Sequence, residues 1–242
     1  MHYTAEHRLD GALERRFTLG DIPGILWTPT NAPAPTPLIL IGHPGGLHRM
    51  YPRIAARARR ATTHGFAAAT IELPGAGDRP PSPTTEQARA DLQRQLRTTG
   101  RPTDDAVDRL VLPLVEQAVP EWRTALDTLL AQPHIRGPVG YSGGIISIGL
   151  RLAATEPRIT AAVLFAGSYV PRSMLTEARD VTIPLHVLLQ WDDEGNDRRH
   201  ALDLFDAFGS TDKTLNANTG GHTGVPEHAG DAADRFFTRH LT

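Results

Sequence analysis

Short, almost continuously apolar runs alternate along the chain with longer stretches of helical periodicity. Leu38-Ile39-Leu40-Ile41 has no polar break, and Phe66–Leu73, Ala161–Ala166 and Leu185–Gln190 are nearly as apolar. Runs of this kind belong to strands buried on both faces, as in a parallel sheet. Between and after them lie helical stretches at Tyr51–Thr63, Pro120–Gln132, Ile145–Ala154 and Ala229–His240, with shorter strands at Val139 and Thr214–Ala217. Pro120 suits the first turn of a helix, where its missing N–H costs little, so a helix is expected to open there. Strands alternating with helices predict an α/β fold: a mostly parallel central sheet covered by helices on both faces.

Two regions depart from this rhythm. Arg15–Leu19 and Gly24–Thr28, separated by the turn formers Gly20, Asp21 and Pro23, predict a hairpin, and the Pro-rich Pro29–Pro37 predicts a loop. Residues 79–119 hold Pro80, Pro81, Pro83, Pro102 and Pro113 and no convincing strand. Helical periodicity over Glu86–Leu96 and Asp105–Ala118, broken at Thr98-Thr99-Gly100, predicts a small helical insertion. It is either a pair of helices packed on the sheet or a cap over a pocket. The whole chain, 1–242, reads as one domain carrying this insertion at about 79–119.

Composition narrows the chemistry. Hydrophobic residues are 40% of the chain and charged residues 21%, enough apolar surface for a sizeable core. The absence of cysteine removes disulfides, thiolate metal sites and a cysteine nucleophile. Formal net charge is -2, and the densest basic run, Arg53–Arg60 (RIAARARR), spaces its arginines with alanines as on a solvated helix face. No nucleic-acid partner is therefore expected. The N-terminus is polar and no apolar stretch approaches membrane-spanning length, so a cytoplasmic protein is expected. No cofactor or metal site is indicated.

Gly140-Tyr141-Ser142-Gly143-Gly144 fits G-x-S-x-G between a predicted strand and a predicted helix. Roughly one chain in twenty of this composition would show the pattern by chance, fewer in that context. A serine on a sharp strand-to-helix turn is expected to hold a strained backbone and to sit at the helix N-terminus, where free N–H groups favour negative charge. Its bland alternative is a helix-capping serine. An oxyanion needs two backbone donors, for which the amides of Gly143 and Gly45 are the first candidates and Gly46 the next, since Pro44 has no N–H.

Of eleven histidines, His222 stands between glycines (Gly220-Gly221-His222-Thr223-Gly224), after a strand-like run and before the last helix. His43 and His48 read as loop-shaping, and His186 as a packed core residue. Three acids, Asp192-Asp193-Glu194, follow the strand Leu185–Gln190 at the end where open α/β sheets build their sites. Asp193 is the first candidate for the acid that orients His222, Asp192 the second and Asp197 a distant third, expected to pair with Arg198 or Arg199.

These residues resemble the α/β-hydrolase superfamily over essentially the whole length. The order Ser142, Asp193, His222 is that family's order. Glu72-Leu73-Pro74-Gly75-Ala76-Gly77-Asp78 looks like its D-x-P-G-x-G-x-S turn, His43-Pro44-Gly45-Gly46 like its oxyanion loop, and Gly221-His222 like its G-H motif. Asn196-Asp197 stand where the acid turn usually ends in Val-Pro. Within the superfamily the chain looks most like dienelactone-hydrolase-like proteins and carboxylesterases, with serine in place of cysteine. The resemblance implies a serine hydrolase acting on a small ester or thioester. An acyltransferase or tailoring enzyme using the same three residues, and a non-catalytic ligand-binding relative, are the alternatives. The oligomeric state, monomer or dimer, is open.

Overall fold

The computed structural model describes residues 1–242. Nine strands form one sheet: β1 (His2–Leu9), β2 (Ala12–Leu19), β3 (Ile22–Pro29), β4 (Thr36–Gly42), β5 (Ala67–Ile71), β6 (Ile135–Gly143), β7 (Ile159–Phe165), β8 (Leu185–Gln190) and β9 (Lys213–Asn218). Seven helices cover it: α1 (Leu47–Thr63), α2 (Pro83–Thr99), α3 (Asp104–Leu130), α4 (Ile146–Thr155), α5 (Met174–Ala178), α6 (Arg198–Ala207) and α7 (Glu227–Leu241). The strand order is β1-β2-β3-β5-β4-β6-β7-β8-β9. From β5 to β9 neighbours run parallel, while β1, β2 and β3 form an antiparallel margin joined to β5.

The strand order reverses at β4, which sends β5 to one side and β6 to the other. In open α/β sheets the crevice at such a point, beyond the carboxyl ends of the strands, is where ligands bind. Ser142 lies at that end of β6, beside the end of β4, with Ile41 opposite Ser142 and Gly42 opposite Gly143.

Alternation along the central strands sorts the core into two layers. Leu38, Leu40, Val139 and Tyr141 face α2 to α6, in a cluster that includes Val115, Trp122 and Leu164. Ile39, Ile41, Ala161 and Val163 face α1 and α7, against Ile54, Ala58, Phe237 and Leu241. Gly140 shares that second face, where a Cβ would lie 2.7 Å from Phe237 and 2.8 Å from Leu241. The first glycine of the motif is thus required because α7 packs directly on the strand.

The hairpin forms as β2 and β3, although Pro23 sits within β3 rather than in the turn. β1 was not predicted: its eight residues are exposed on both faces save one, so they carry no apolar alternation. Pro120 does not open a helix. A single helix of 27 residues, capped by Thr103, runs through both Pro113 and Pro120. Each interior proline costs about 3 kcal/mol. Val115, Val119, Leu126 and Leu129 are all buried on one stripe, and each contributes about 1.5–3 kcal/mol. Packing therefore outweighs the prolines. The segment 79–119 comprises α2, capped by Ser82, and the first part of α3. No helix is long and apolar enough to cross a membrane.

Candidate active site

Four connections leave the same carboxyl edge of the sheet, after β4, β6, β8 and β9. Ser142 does not carry the strained backbone expected of it, since no residue other than glycine has positive φ. Gly143 (φ 74°) and Gly144 (φ 75°) take the left-handed conformation instead. Glycine does so without steric cost, so the serine need not. Helix α4 starts at Ile146, one residue after the predicted Ile145, so Gly143, Gly144 and Ile145 separate it from Ser142. Ser142 consequently remains in β6, with its side chain on the α1 face.

On that face it meets Arg57. The guanidinium donates to the Gly42 carbonyl at 2.9 Å, to the Ser142 carbonyl, and to Ser142 Oγ at 2.8 Å. The sequence places Arg57 with its neighbours on a solvated face, but in the structure its guanidinium turns inward to the ends of β4 and β6. Met50, Ile54, Ala58 and Ala61 form the buried stripe of α1, and position 57 falls on it at helical spacing. That phase was the signal in the sequence; the surrounding arginines masked it. Arg60 pairs instead with Asp231 and Asp234 of α7. Arg57 as a residue is only partly covered, yet desolvation of its guanidinium pulls it down to about 10.

Asp193 and His222 are joined. Asp193 Oδ2 lies 2.7 Å from His222 Nδ1, with the aspartate side chain 3% exposed and the histidine side chain 43% exposed. The carboxylate's other oxygen accepts from the Gly195 amide at 2.9 Å. A carboxylate can only accept, so Nδ1 carries the proton and Nε2 keeps a free lone pair. The Phe165 ring meets the imidazole edge-on, with centroids 5.5 Å apart. Ser142 Oγ makes no hydrogen bond to His222; its bonded partner is Arg57.

The neighbouring acids have different work. Asp192 Oδ2 accepts from the Gly220 amide at 3.0 Å, and the Asp192 amide bonds the Gly220 carbonyl, which pins the histidine loop to the acid loop. Gln190 Nε2 adds a bond to the Gly221 carbonyl at 3.2 Å. Asp197 does not pair with Arg198 or Arg199 through its charge. It caps α6, accepting from the amides of Arg199 and His200 at 3.0 and 3.2 Å. Asn196 donates to the Ala166 carbonyl at 2.5 Å, tying the acid loop to the end of β7. The unexpected Asn196-Asp197 pair therefore anchors the C-terminal end of this loop to both β7 and α6.

The loop carrying Gly45 and Gly46 is held from below. Gly46 is the N-cap of α1 but has no side chain to cap with. Glu72 supplies the acceptor, both carboxylate oxygens lying 3.0 Å from the Leu47 amide. Burial raises the Glu72 carboxyl above its ordinary range despite these bonds. His43 Nε2 bonds the Ile71 carbonyl at 2.9 Å, the loop-shaping role expected of it. His48, by contrast, belongs to α1 and is exposed. His186 is buried, with Nδ1 2.9 Å from Thr214 Oγ1.

Burial lowers the His43 imidazole below its ordinary range. As pH falls through about 6.5 the unfolded chain gains a proton that folded His43 refuses, so this stability is lost on acidification. The fall in urea midpoint between pH 7 and pH 5 is expected to be smaller in His43→Gln than in the parent chain. An equal or larger fall would contradict this.

No protein-family model matches the chain, and no curated protein matches it in sequence. Solved structures do. A cold-adapted esterase from an Arctic intertidal metagenomic library, bound to polyethylene glycol, aligns over 100% of both chains at 26% identity and a TM-score of 0.79. A dienelactone hydrolase from Anabaena variabilis aligns over 100% of both chains at 21% identity and a TM-score of 0.61. An acetyl xylan esterase from a Paenibacillus species shares 14% identity over 99% of this chain and 88% of its own, with a TM-score of 0.66.

Proposed function

We propose that this chain, which has the fold of the α/β-hydrolase superfamily, is a serine hydrolase that cleaves a small ester or thioester through an acyl-enzyme. The observation that carries the reading is the Asp193–His222 pair at 2.7 Å, on the loops that follow β8 and β9 and leave the same carboxyl side of the sheet as the turn after β6 that bears Ser142. Asp193 fixes the tautomer that leaves Nε2 as a base and stabilises the imidazolium once it forms. The similarity to the Arctic esterase supports ester chemistry.

In this reading the Ser142 hydroxyl turns its proton toward His222 when substrate enters. Catalytic hydrogen bonds are often absent or long without substrate and tighten in the complex. Oγ attacks the acyl carbon, the proton passes to His222 Nε2, and the oxyanion takes donors from the Gly143 and Gly45 amides. The leaving alcohol or thiol takes the proton from His222. Water, activated by the same histidine, then releases the acid. A second reading, a ligand-binding protein without turnover, draws on the one observation that Ser142 Oγ rests on Arg57.

A p-nitrophenyl ester series separates them. Acylation is expected to release a burst of about one p-nitrophenol per chain, followed by steady turnover. Folded protein giving neither burst nor turnover over the whole acyl series would favour the ligand-binding reading.

A further inference from the structure

Arg57 is an arginine without an acid. Other partly covered arginines pair with carboxylates: Arg79 with Glu121, Arg151 with Glu177, Arg158 with Glu156, and Arg60 with Asp234. Arg57 instead spends its donors on two strand-end carbonyls and one hydroxyl. An enclosed charge with no countercharge is costly, so a leucine or methionine would suit α1 better if only packing mattered. Space is also reserved for it: a Cβ on Gly143 would stand 2.5 Å from its Nη2.

We propose that Arg57 is a further catalytic residue, a fixed cationic donor to Ser142 Oγ that stabilises negative charge on that oxygen as its proton leaves. The inference rests on the reading of Ser142 as nucleophile. Guanidinium has donors and no acceptor, so Arg57 occupies a lone pair of Oγ and leaves the hydroxyl proton free for His222. When Oγ–C forms, the O–H electrons stay on oxygen, the proton goes to Nε2, and the carbonyl π pair moves to the oxyanion. Arg57 keeps all its protons throughout. Because the Gly42 and Ser142 carbonyls anchor it, it needs no rearrangement during the step. Its pKa, though drawn down to about 10, keeps it charged at neutral pH.

The test is the second-order rate of fluorophosphonate labelling at Ser142 across pH, in Arg57→Lys, Arg57→Gln and Arg57→Met, with circular dichroism confirming the fold. Gln and Met are expected to slow labelling about 10²-fold at pH 7, the scale for removing one donor to a developing anion. Lys keeps the charge and one donor and is expected within about tenfold of the parent. A buried ammonium also loses its proton more readily than guanidinium. The Lys variant should therefore lose its rate at lower alkaline pH than the parent, an effect no mere clamp between β4 and β6 would give.

Gln or Met variants that label as fast as the parent, or faster, would overturn the proposal and make Arg57 a restraint on the serine. Equal slowing in all three, with an unshifted pH profile, would overturn it in favour of a clamp. If Gln and Met do not fold, the Lys profile alone decides. A parent chain that never labels would sink the Ser142 reading, and the role of Arg57 with it.

Discussion

Ser142→Ala is expected to reduce ester turnover by at least about 10⁴-fold, and by as much as about 10⁶, the range for removing a nucleophile from such a constellation. The loss belongs in kcat, because no acyl-enzyme forms, while substrate binding changes little. The fold should survive, since Oγ is an acceptor for one guanidinium that retains two carbonyl partners, Gly42 and Ser142. The check is steady-state hydrolysis of a p-nitrophenyl ester together with the thermal midpoint. An unchanged midpoint with turnover near the parent value would remove Ser142 from the mechanism.

Asp193→Asn is expected to lower kcat by about 10⁴-fold with the fold intact. The carboxylate is nearly covered while its histidine is half open to solvent, so the geometry of the imidazole depends on the buried member. An asparagine can turn its amide toward Nδ1 and donate, which stabilises the tautomer carrying the proton on Nε2. The base is then lost although the ring has not moved. Asp192→Asn differs in kind: it leaves the Asp193–His222 bond in place and disturbs only the support of Gly220. A loss at Asp192 equal to that at Asp193 would contradict the assignment of separate roles.

The sequence carried the architecture where burial was two-sided and missed it where burial was slight. Leu38–Ile41 and Leu185–Gln190 are legible because both faces must be apolar, and the structure builds β4 and β8 on them. β1 left no trace because almost none of it is buried. The helix α3 was divided at Pro120 because local propensity favours a start there, whereas the tertiary contacts of Trp122 and Leu126 extend the helix across it. Local chemistry can suggest a boundary that packing overrides.

At the site, residue types and their places at strand ends were legible; orientation was not. G-x-S-x-G located the turn, but which residue bears the left-handed backbone depends on two adjacent glycines after the serine rather than on the serine itself. Three consecutive acids look alike in sequence. Their division into a loop pin, a histidine partner and an exposed Glu194 lying against Gly221 follows from how the chain leaves β8. Arg57 was hidden among arginines of ordinary appearance, and only its phase on α1 set it apart.

In the proposed reading Ser142 is an activated nucleophile served by His222. Fluorophosphonate labelling of the native protein, with the modified peptide identified by mass spectrometry, tests it most directly. One adduct per chain is expected on Ser142, abolished by His222→Ala and by prior unfolding. An adduct on another residue, or none on folded protein, would contradict it.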